Sequence, residues 1–315
     1  MTQMETYKQI VDRELQQITD RWQNTPLEKA MAYSVAAGGK RLRPILCLAG
    51  FDLVKKKTDW QAITADAYAE VLPMAAGIEL IHTYSLIQDD LPLLDDDDMR
   101  RGKATNHVIF GEIGALLASD GLLTVAIRMM IKQPDLNQNN WEKRRQAVLK
   151  IFMAIGEQGM LWGQWLDLSA EGKIKNEGET KLNQQWTKEK WLKEMHRHKT
   201  GDLINASLVS GAIMGGGNAA QITAAEEFSI KLGLSFQIID DILDATLSSE
   251  ELGKTAGKDQ SAGKLTYPAL FGLEKSWQLA EEATLEGIEA LEKEFGAEKA
   301  TFLKSVAEKQ LRRKN

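Results

Sequence analysis

A chain of 315 residues, 43% of them hydrophobic and 27% charged, holds enough apolar material for a sizeable core, as one large domain or two small ones. The formal charge of −6 gives no overall electropositive face for a phosphate backbone, which argues against nucleic acid as a partner. The single cysteine, Cys47, excludes an intramolecular disulfide and fits a reducing cytoplasm; among Ile45, Leu46 and Leu48 it reads as a small buried hydrophobe.

The first predicted element is a helix, because Tyr7, Ile10, Val11, Leu15, Ile18 and Trp22 recur every three or four residues and form one apolar stripe. This segment lacks the basic and apolar regions of a signal peptide. GGKRLRP, residues 38–44, then joins flexible glycines to Lys40, Arg41 and Arg43, whose charges suit phosphate. Taken alone it is a weak motif, more often a solvated basic turn. Residues 74–88 make an apolar helical run that ends in DDLPLLDDDD, residues 89–98. Pro92 cannot continue that helix, so Asp89 and Asp90 close it and Asp95 returns from the turn beyond, with Asp96 to Asp98 as rim charges. Arg100 and Arg101 follow at once. His82 stands two turns before Asp89 on roughly the same face, which leaves it a core histidine or a ligand.

Residues 109–130 are apolar but interrupted by Glu112, Asp120 and Arg128, so no membrane span is expected. No proline lies between Pro134 and Pro268, which predicts consecutive helices; residues 170–184 and 245–266, rich in Gly, Lys, Ser and Glu, read as loops. Within that interval, residues 228–239 form a second apolar run that ends in DDILD, residues 240–244. Nothing argues for strands, and no repeat appears. The expectation is one all-α domain over residues 1–315, built around a bundle.

The two acid clusters carry the chemistry. Both sit where a helix dipole is negative and repels further negative charge, so a cation is expected there. Hard oxygen donors crowded in this way suit Mg²⁺, which binds through one or two carboxylates and shares substrate phosphates. A solvated acidic turn neutralised by Arg100 and Arg101 explains one such cluster. It does not explain a second one followed by a Gly/Lys segment. In DDILD, Asp240 and Asp244 share a face while Asp241 points about 100° away. Lys199 and Thr200 in HRHKTGD, with Lys254, Lys258 and Lys264, extend the cationic set to a number that suits two diphosphates. His196 and His198 lack the spacing of a zinc site, and no P-loop or dinucleotide fingerprint is present.

In order along the chain, GGKRLRP, HTYSLIQDDLPLLDDDDMRRGKATNH, GMLWGQWLDL, HRHKTG, FQIIDDILD and GKTAGKDQSAGKLTYPAL resemble the trans-isoprenyl diphosphate synthases, nearest to the bacterial farnesyl diphosphate synthases. The resemblance implies an all-α isoprenoid synthase bundle around a central cavity, with the acid motifs facing each other across it, in a cytoplasmic homodimer. It implies about three Mg²⁺ ions bound with the allylic diphosphate, on Asp89, Asp95 and Asp240 with Asp90 and Asp244 in support. It assigns Arg100, Lys199, Thr200, Gln237 and Lys254 to the allylic diphosphate, and Lys40, Arg43, His82 and Arg101 to isopentenyl diphosphate. The implied product is (2E,6E)-farnesyl diphosphate. Asp89, Asp95, Asp240, Lys199 and Arg100 are the catalytic candidates, and the Lys-bearing segment after DDILD is the expected lid.

Tyr84, five residues before Asp89, lies about 7.5 Å deeper along the helix axis. With Ser85 it is the candidate floor for the growing chain, and an aromatic residue here resembles the enzymes that stop at C15. The sequence departs from the family pattern at Gln88, where many relatives have histidine, and at Trp162 and Trp165, where small residues are common. The alternatives are a geranylgeranyl diphosphate synthase, a terpene cyclase, against which GGKRLRP argues, and a non-catalytic subunit of a heteromeric synthase, against which the two intact motifs argue.

Overall fold

Several helix starts are written into the sequence as reciprocal caps. Thr2 with Glu5 opens α1 (Gln3–Thr19), Thr25 with Glu28 opens α2 (Pro26–Val35), and Asn218 with Gln221 opens a long helix near the middle of the second half. Each such cap satisfies two orphan backbone donors and contributes about 1 kcal/mol. Pro26 at the first turn of α2 has no N–H to leave unsatisfied. The computed structural model describes residues 2–22, 24–55, 65–132, 138–174, 186–247 and 265–313.

Those residues are almost wholly helical, as expected. After α2 come α3 (Leu42–Val54), α4 (Leu72–Asp89), α5 (Asn106–Ile131), α6 (Gln138–Ile155), α7 (Met160–Ala170) and α8 (Lys188–His196). A five-residue π turn, Arg197–Gly201, leads into α9 (Asp202–Gly215). The chain continues with α10 (Ala219–Thr246), α11 (Tyr267–Phe271), α12 (Leu273–Phe295) and α13 (Ala297–Leu311). One feature was not expected: β1 (Met99–Arg100) pairs antiparallel with β2 (Lys103–Ala104). The turn between them is made by Arg101 and Gly102, both at positive φ, the geometry that a two-residue hairpin requires.

The described chain forms two compact units, Met1–Val148 with Ser210–Gly217, and Leu149–Val209 with Asn218–Asn315. In the first, α4 is buried on nearly every side, from Met74 to Ile81, because its sequence is apolar all round. Against it α5 presents Ala115, Ala118, Leu122, Ala126 and Met130 at helical spacing, and Gly77 leaves room for the Met130 side chain. Asp52 of α3 accepts hydrogen bonds from the Tyr7 and Tyr68 hydroxyls, which ties α1 to α3. Cys47 is fully buried, its thiol pushed up to about 12 by burial, as a small core residue should be.

Among the described residues α5 is the one helix long and apolar enough to cross a membrane. It is kinked at Gly111 (φ 75°, ψ 161°) and carries Glu112, Asp120 and Arg128.

In the second unit α10 packs along α12, where Gly287 allows close approach to Phe228 and Lys231. Ile238, Ile239, Ile242 and Leu243 of α10 share a core with Leu166, Leu192, Met195, Tyr267 and Ala280. This core fixes α10 rotationally, and with it the acid motif on its last turns.

Candidate functional site

In the first unit the acid motif folds as its proline dictates. Asp89 is the last residue of α4, Asp90 caps it, and the chain reverses so that the Asp95 amide donates to the Asp89 carbonyl at 2.9 Å. Asp96 takes a positive φ of 52° in this reversal. Asp90 is buried and clamped by Arg100, whose Nε donates at 2.7 and 2.9 Å to the two carboxylate oxygens. Burial pushes its carboxyl up to about 6 even with that guanidinium alongside. Asp89 and Asp95 remain part-exposed. Arg100, expected to meet substrate, bonds Asp90 and lies 3.9 Å from Asp97.

The cations of GGKRLRP divide. Arg41, at positive φ ahead of α3, is 5% exposed and bonds Asp12 at 2.9 Å, Glu79 at 2.7 Å and the Val35 carbonyl at 2.9 Å. This corrects its expected place among the phosphate cations, since a buried guanidinium paired with the buried Glu79 and the half-buried Asp12 is structural. Lys40 is exposed in the preceding loop. Arg43 lies 3.2 Å from His82 Nε2 across 39 residues of sequence. Burial first, and then the charges of Arg43, Arg101, Arg100 and Arg41, hold the His82 pKa well below the usual histidine range. A neutral ring therefore accepts from Arg43 at Nε2 and keeps its proton on Nδ1.

The glycines of the motif have a distinct use. The Arg101 guanidinium donates to the Gly38 carbonyl and lies where a Cβ on Gly39 would stand, 2.6 Å away. Arg43, Arg101 and Arg100 are thus a cationic group around the neutral His82 ring, assembled from α3, α4 and the hairpin. Tyr84 is 8% exposed on α4. Ser85 donates to the His82 carbonyl, and Gln88, the departure from the family pattern, donates to Ser119 at 3.3 Å.

In the second unit the helix runs further than the apolar pattern suggested. DDILD lies within the last two turns of α10, which continues to Thr246, because residues 245 and 246 extend the backbone ladder. Asp240 and Asp244 do share a face. Asp240 is part-exposed and pairs with Arg313 Nη1 at 2.7 Å, while Asp244 is buried. Asp241, which points elsewhere, accepts from the Tyr267 amide at 2.9 Å and from Gln237 Nε2 at 3.5 Å, so it joins α10 to the start of α11. His196, buried beside it with Nε2 3.8 Å from Asp241, has its pKa lowered to about 3 by burial.

Lys199 and Thr200 both stand on the π turn, and the Lys199 ammonium is 2.5 Å from Asp167 of α7. Trp162 packs on the adjoining core; Trp165 is 48% exposed. Asp167 and Arg313 were not singled out from the sequence. Gly163 and Asp167 share a face of α7 in GQWLD, but nothing local says that Lys199, 32 residues on, is the partner. Lys254, Lys258, Lys264 and the expected lid lie outside the described residues.

Among the described residues no group of three or more His, Cys, Asp or Glu side chains forms a ready-made cage. Such a donor set fits Mg²⁺ held by one or two carboxylates at a time, with water and substrate phosphate filling its shell.

The described residues thus make an all-α protein in which each unit carries helix-borne aspartates, Asp90 bonded by Arg100 in the first and Asp240 paired with Arg313 in the second. A polyprenyl synthetase profile matches residues 24–305. The chain is 41% identical to heterodimeric geranylgeranyl pyrophosphate synthase large subunit 1 of Arabidopsis thaliana, over 92% of this chain and 73% of that one. It is 43% identical to the farnesyl diphosphate synthase of Geobacillus stearothermophilus, over 84% of this chain and 82% of that one. Among solved structures, an FPP/GFPP synthase from Zymomonas mobilis superposes with a TM-score of 0.77 at 30% identity, covering 98% of both chains. The chain belongs to the polyprenyl synthetase family of prenyltransferases.

Proposed function

We propose that this protein condenses isopentenyl diphosphate with dimethylallyl and then geranyl diphosphate, and releases (2E,6E)-farnesyl diphosphate. The observation that carries the C15 reading is Tyr84, a buried aromatic ring on α4 five residues before Asp89. Such a ring limits the depth available to a growing tail. Isopentenyl diphosphate is the partner of Lys40, Arg43, His82 and Arg101. The allylic diphosphate is the partner of Arg100, Lys199, Thr200 and Gln237, with Lys254 from the segment outside the described residues.

Asp89, Asp95 and Asp240 are the residues that would hold Mg²⁺, with Asp244 and, through its contact with Arg100, Asp90 in support. When bound, the metal supplies charge neutralisation for the diphosphate leaving group. The chain's own cations do the same from their side, strengthened where water is excluded. The allylic C–O bond breaks and its electron pair leaves with diphosphate. The π electrons of isopentenyl diphosphate then form the new C–C bond to the allylic carbon. Loss of a proton, with the departed diphosphate as base, restores a double bond. No side-chain nucleophile takes part. Holding both substrates together converts a bimolecular encounter into a step within one complex.

A second reading, a geranylgeranyl diphosphate synthase, is favoured by the name of the Arabidopsis relative. Offering dimethylallyl, geranyl and farnesyl diphosphates separately with isopentenyl diphosphate distinguishes them. Accumulation of C15 from the first two, with farnesyl diphosphate left unused, supports the proposal. Efficient conversion of farnesyl diphosphate to C20 supports the second reading, and no turnover of any of them leaves the non-catalytic subunit.

The proposed assembly is a homodimer in the cytoplasm. Its support is the apolar face of α5, where Val108, Ile109, Ile113, Leu116 and Leu117 are exposed in the single chain. Light scattering reads the mass directly, and a monomer at assay concentration would remove that part of the proposal.

A further inference from the structure

Lys199 stands on a turn that is gripped by the helices around it. The π turn Arg197–Gly201 inserts an extra residue between α8 and α9, a departure from α geometry that is commonly kept at functional sites because it re-aims side chains. On one side, α7 presents Gly163. A Cβ there would fall 2.0 Å from Lys199 N, 2.5 Å from Lys199 Cα and 2.6 Å from the His198 carbonyl carbon, all of them backbone atoms. On another side, α10 presents Gly233, whose Cβ would fall 3.0 Å from Gly201 Cα. One turn beyond Gly163, Asp167 is 6% exposed and holds the Lys199 ammonium at 2.5 Å.

We propose that α7 is the positioning element for Lys199: Gly163 sets where its backbone lies, and Asp167 sets where its ammonium points. The inference rests on the reading of Lys199 as a group that meets the allylic diphosphate, and it adds two positioning residues to that reading. Neither residue is assigned a contact with substrate; each acts through Lys199. The physical logic is that a flexible four-carbon side chain aims a charge well only when both its root and its tip are held. Backbone contact closer than a methyl group holds the root. A buried carboxylate holds the tip until the more highly charged diphosphate competes for it.

The test is a mutant cycle on the full chain with Mg²⁺, with geranyl diphosphate saturating and isopentenyl diphosphate varied up to saturation. Gly163→Ala and Asp167→Asn should each lower kcat by about tenfold or more, with the KM for isopentenyl diphosphate unchanged within about twofold. In a Lys199→Ala background Asp167→Asn should be nearly silent, because the ammonium it holds is already gone, and the loss from Gly163→Ala should shrink, because only the backbone it displaces remains. A purely structural loss would instead multiply with that of Lys199→Ala, and multiplicative losses overturn the proposal. So do Gly163→Ala and Asp167→Asn proteins with wild-type kcat. If Gly163→Ala fails to fold by circular dichroism, the Asp167→Asn cycle, which preserves side-chain shape, decides alone. A Lys199→Ala enzyme of full activity would overturn the reading of Lys199 itself, and the inference would fall with it.

Discussion

Replacing Tyr84 by alanine should lengthen the product. The ring is 8% exposed in the first unit, so its removal leaves unfilled apolar volume beside α4. Truncation of a buried aromatic costs about 3–5 kcal/mol of stability, which calls for a folded-state control. One further isoprene unit adds five carbons, and at about 0.8 kcal/mol for each buried CH₂-sized group the gain approaches 4 kcal/mol if all of them fit the vacated space. Even half of that gain is about a thirtyfold shift in the partition between release at C15 and another round of condensation. The assay is chromatography of phosphatase-treated products from dimethylallyl diphosphate with excess isopentenyl diphosphate. Wild-type protein should stop mainly at C15 and the variant should move to C20 and beyond. A folded, active Tyr84→Ala protein with an unchanged C15 product refutes the reasoning and makes Trp162 the next residue to test.

Asp89→Ala and Asp240→Ala should each lower kcat by at least about a hundredfold with the melting temperature little changed, and excess chelator should abolish turnover; full activity in chelator would remove the metal from the scheme. Arg43→Ala should raise the KM for isopentenyl diphosphate more than that for geranyl diphosphate, because the His82–Arg43 pair is one unit of the cationic group; equal effects on both substrates would sink the two-site division. Arg313→Ala should tighten Mg²⁺ binding by about fivefold, since its contact with Asp240, between groups 23% and 34% exposed, is worth about 1 kcal/mol at most; titration calorimetry with the metal alone checks this, and unchanged affinity counts against competition at Asp240. His196 has its folded pKa lowered to about 3, against an ordinary value of about 6.5, so the unfolded chain binds the proton more readily and stability falls as pH drops through that window. The slope should approach about 1.4 kcal/mol per pH unit in denaturant melts and flatten in His196→Gln; identical slopes would refute it.

What could be read locally and what could not divides along particular residues. Of the N-terminal stripe, Tyr7, Ile10, Val11, Leu15 and Trp22 are buried as the period requires, and Ile18 is half-buried. Pro92 ends α4 where expected, and the shared face of Asp240 and Asp244 follows from 3.6-residue periodicity alone. The end of α10 was misjudged because apolar periodicity stops before the backbone hydrogen bonds do. The hairpin at Met99 was missed because two-residue strands carry no periodic signal.

By itself, then, the sequence determined which residues become helix, where proline and caps stop or start it, and which charges travel together on one face. These are consequences of dihedral and hydrogen-bond geometry within a few residues. Only the tertiary structure decided the partners: Arg41 buried against Asp12 and Glu79, Arg43 against His82, Arg101 over Gly39, Arg100 on Asp90, Asp241 on the Tyr267 amide, Lys199 on Asp167. Equivalent basic residues in one motif acquired different roles because a side chain's role depends on what packing brings within about 3 Å of it, and that distance is set by the whole core.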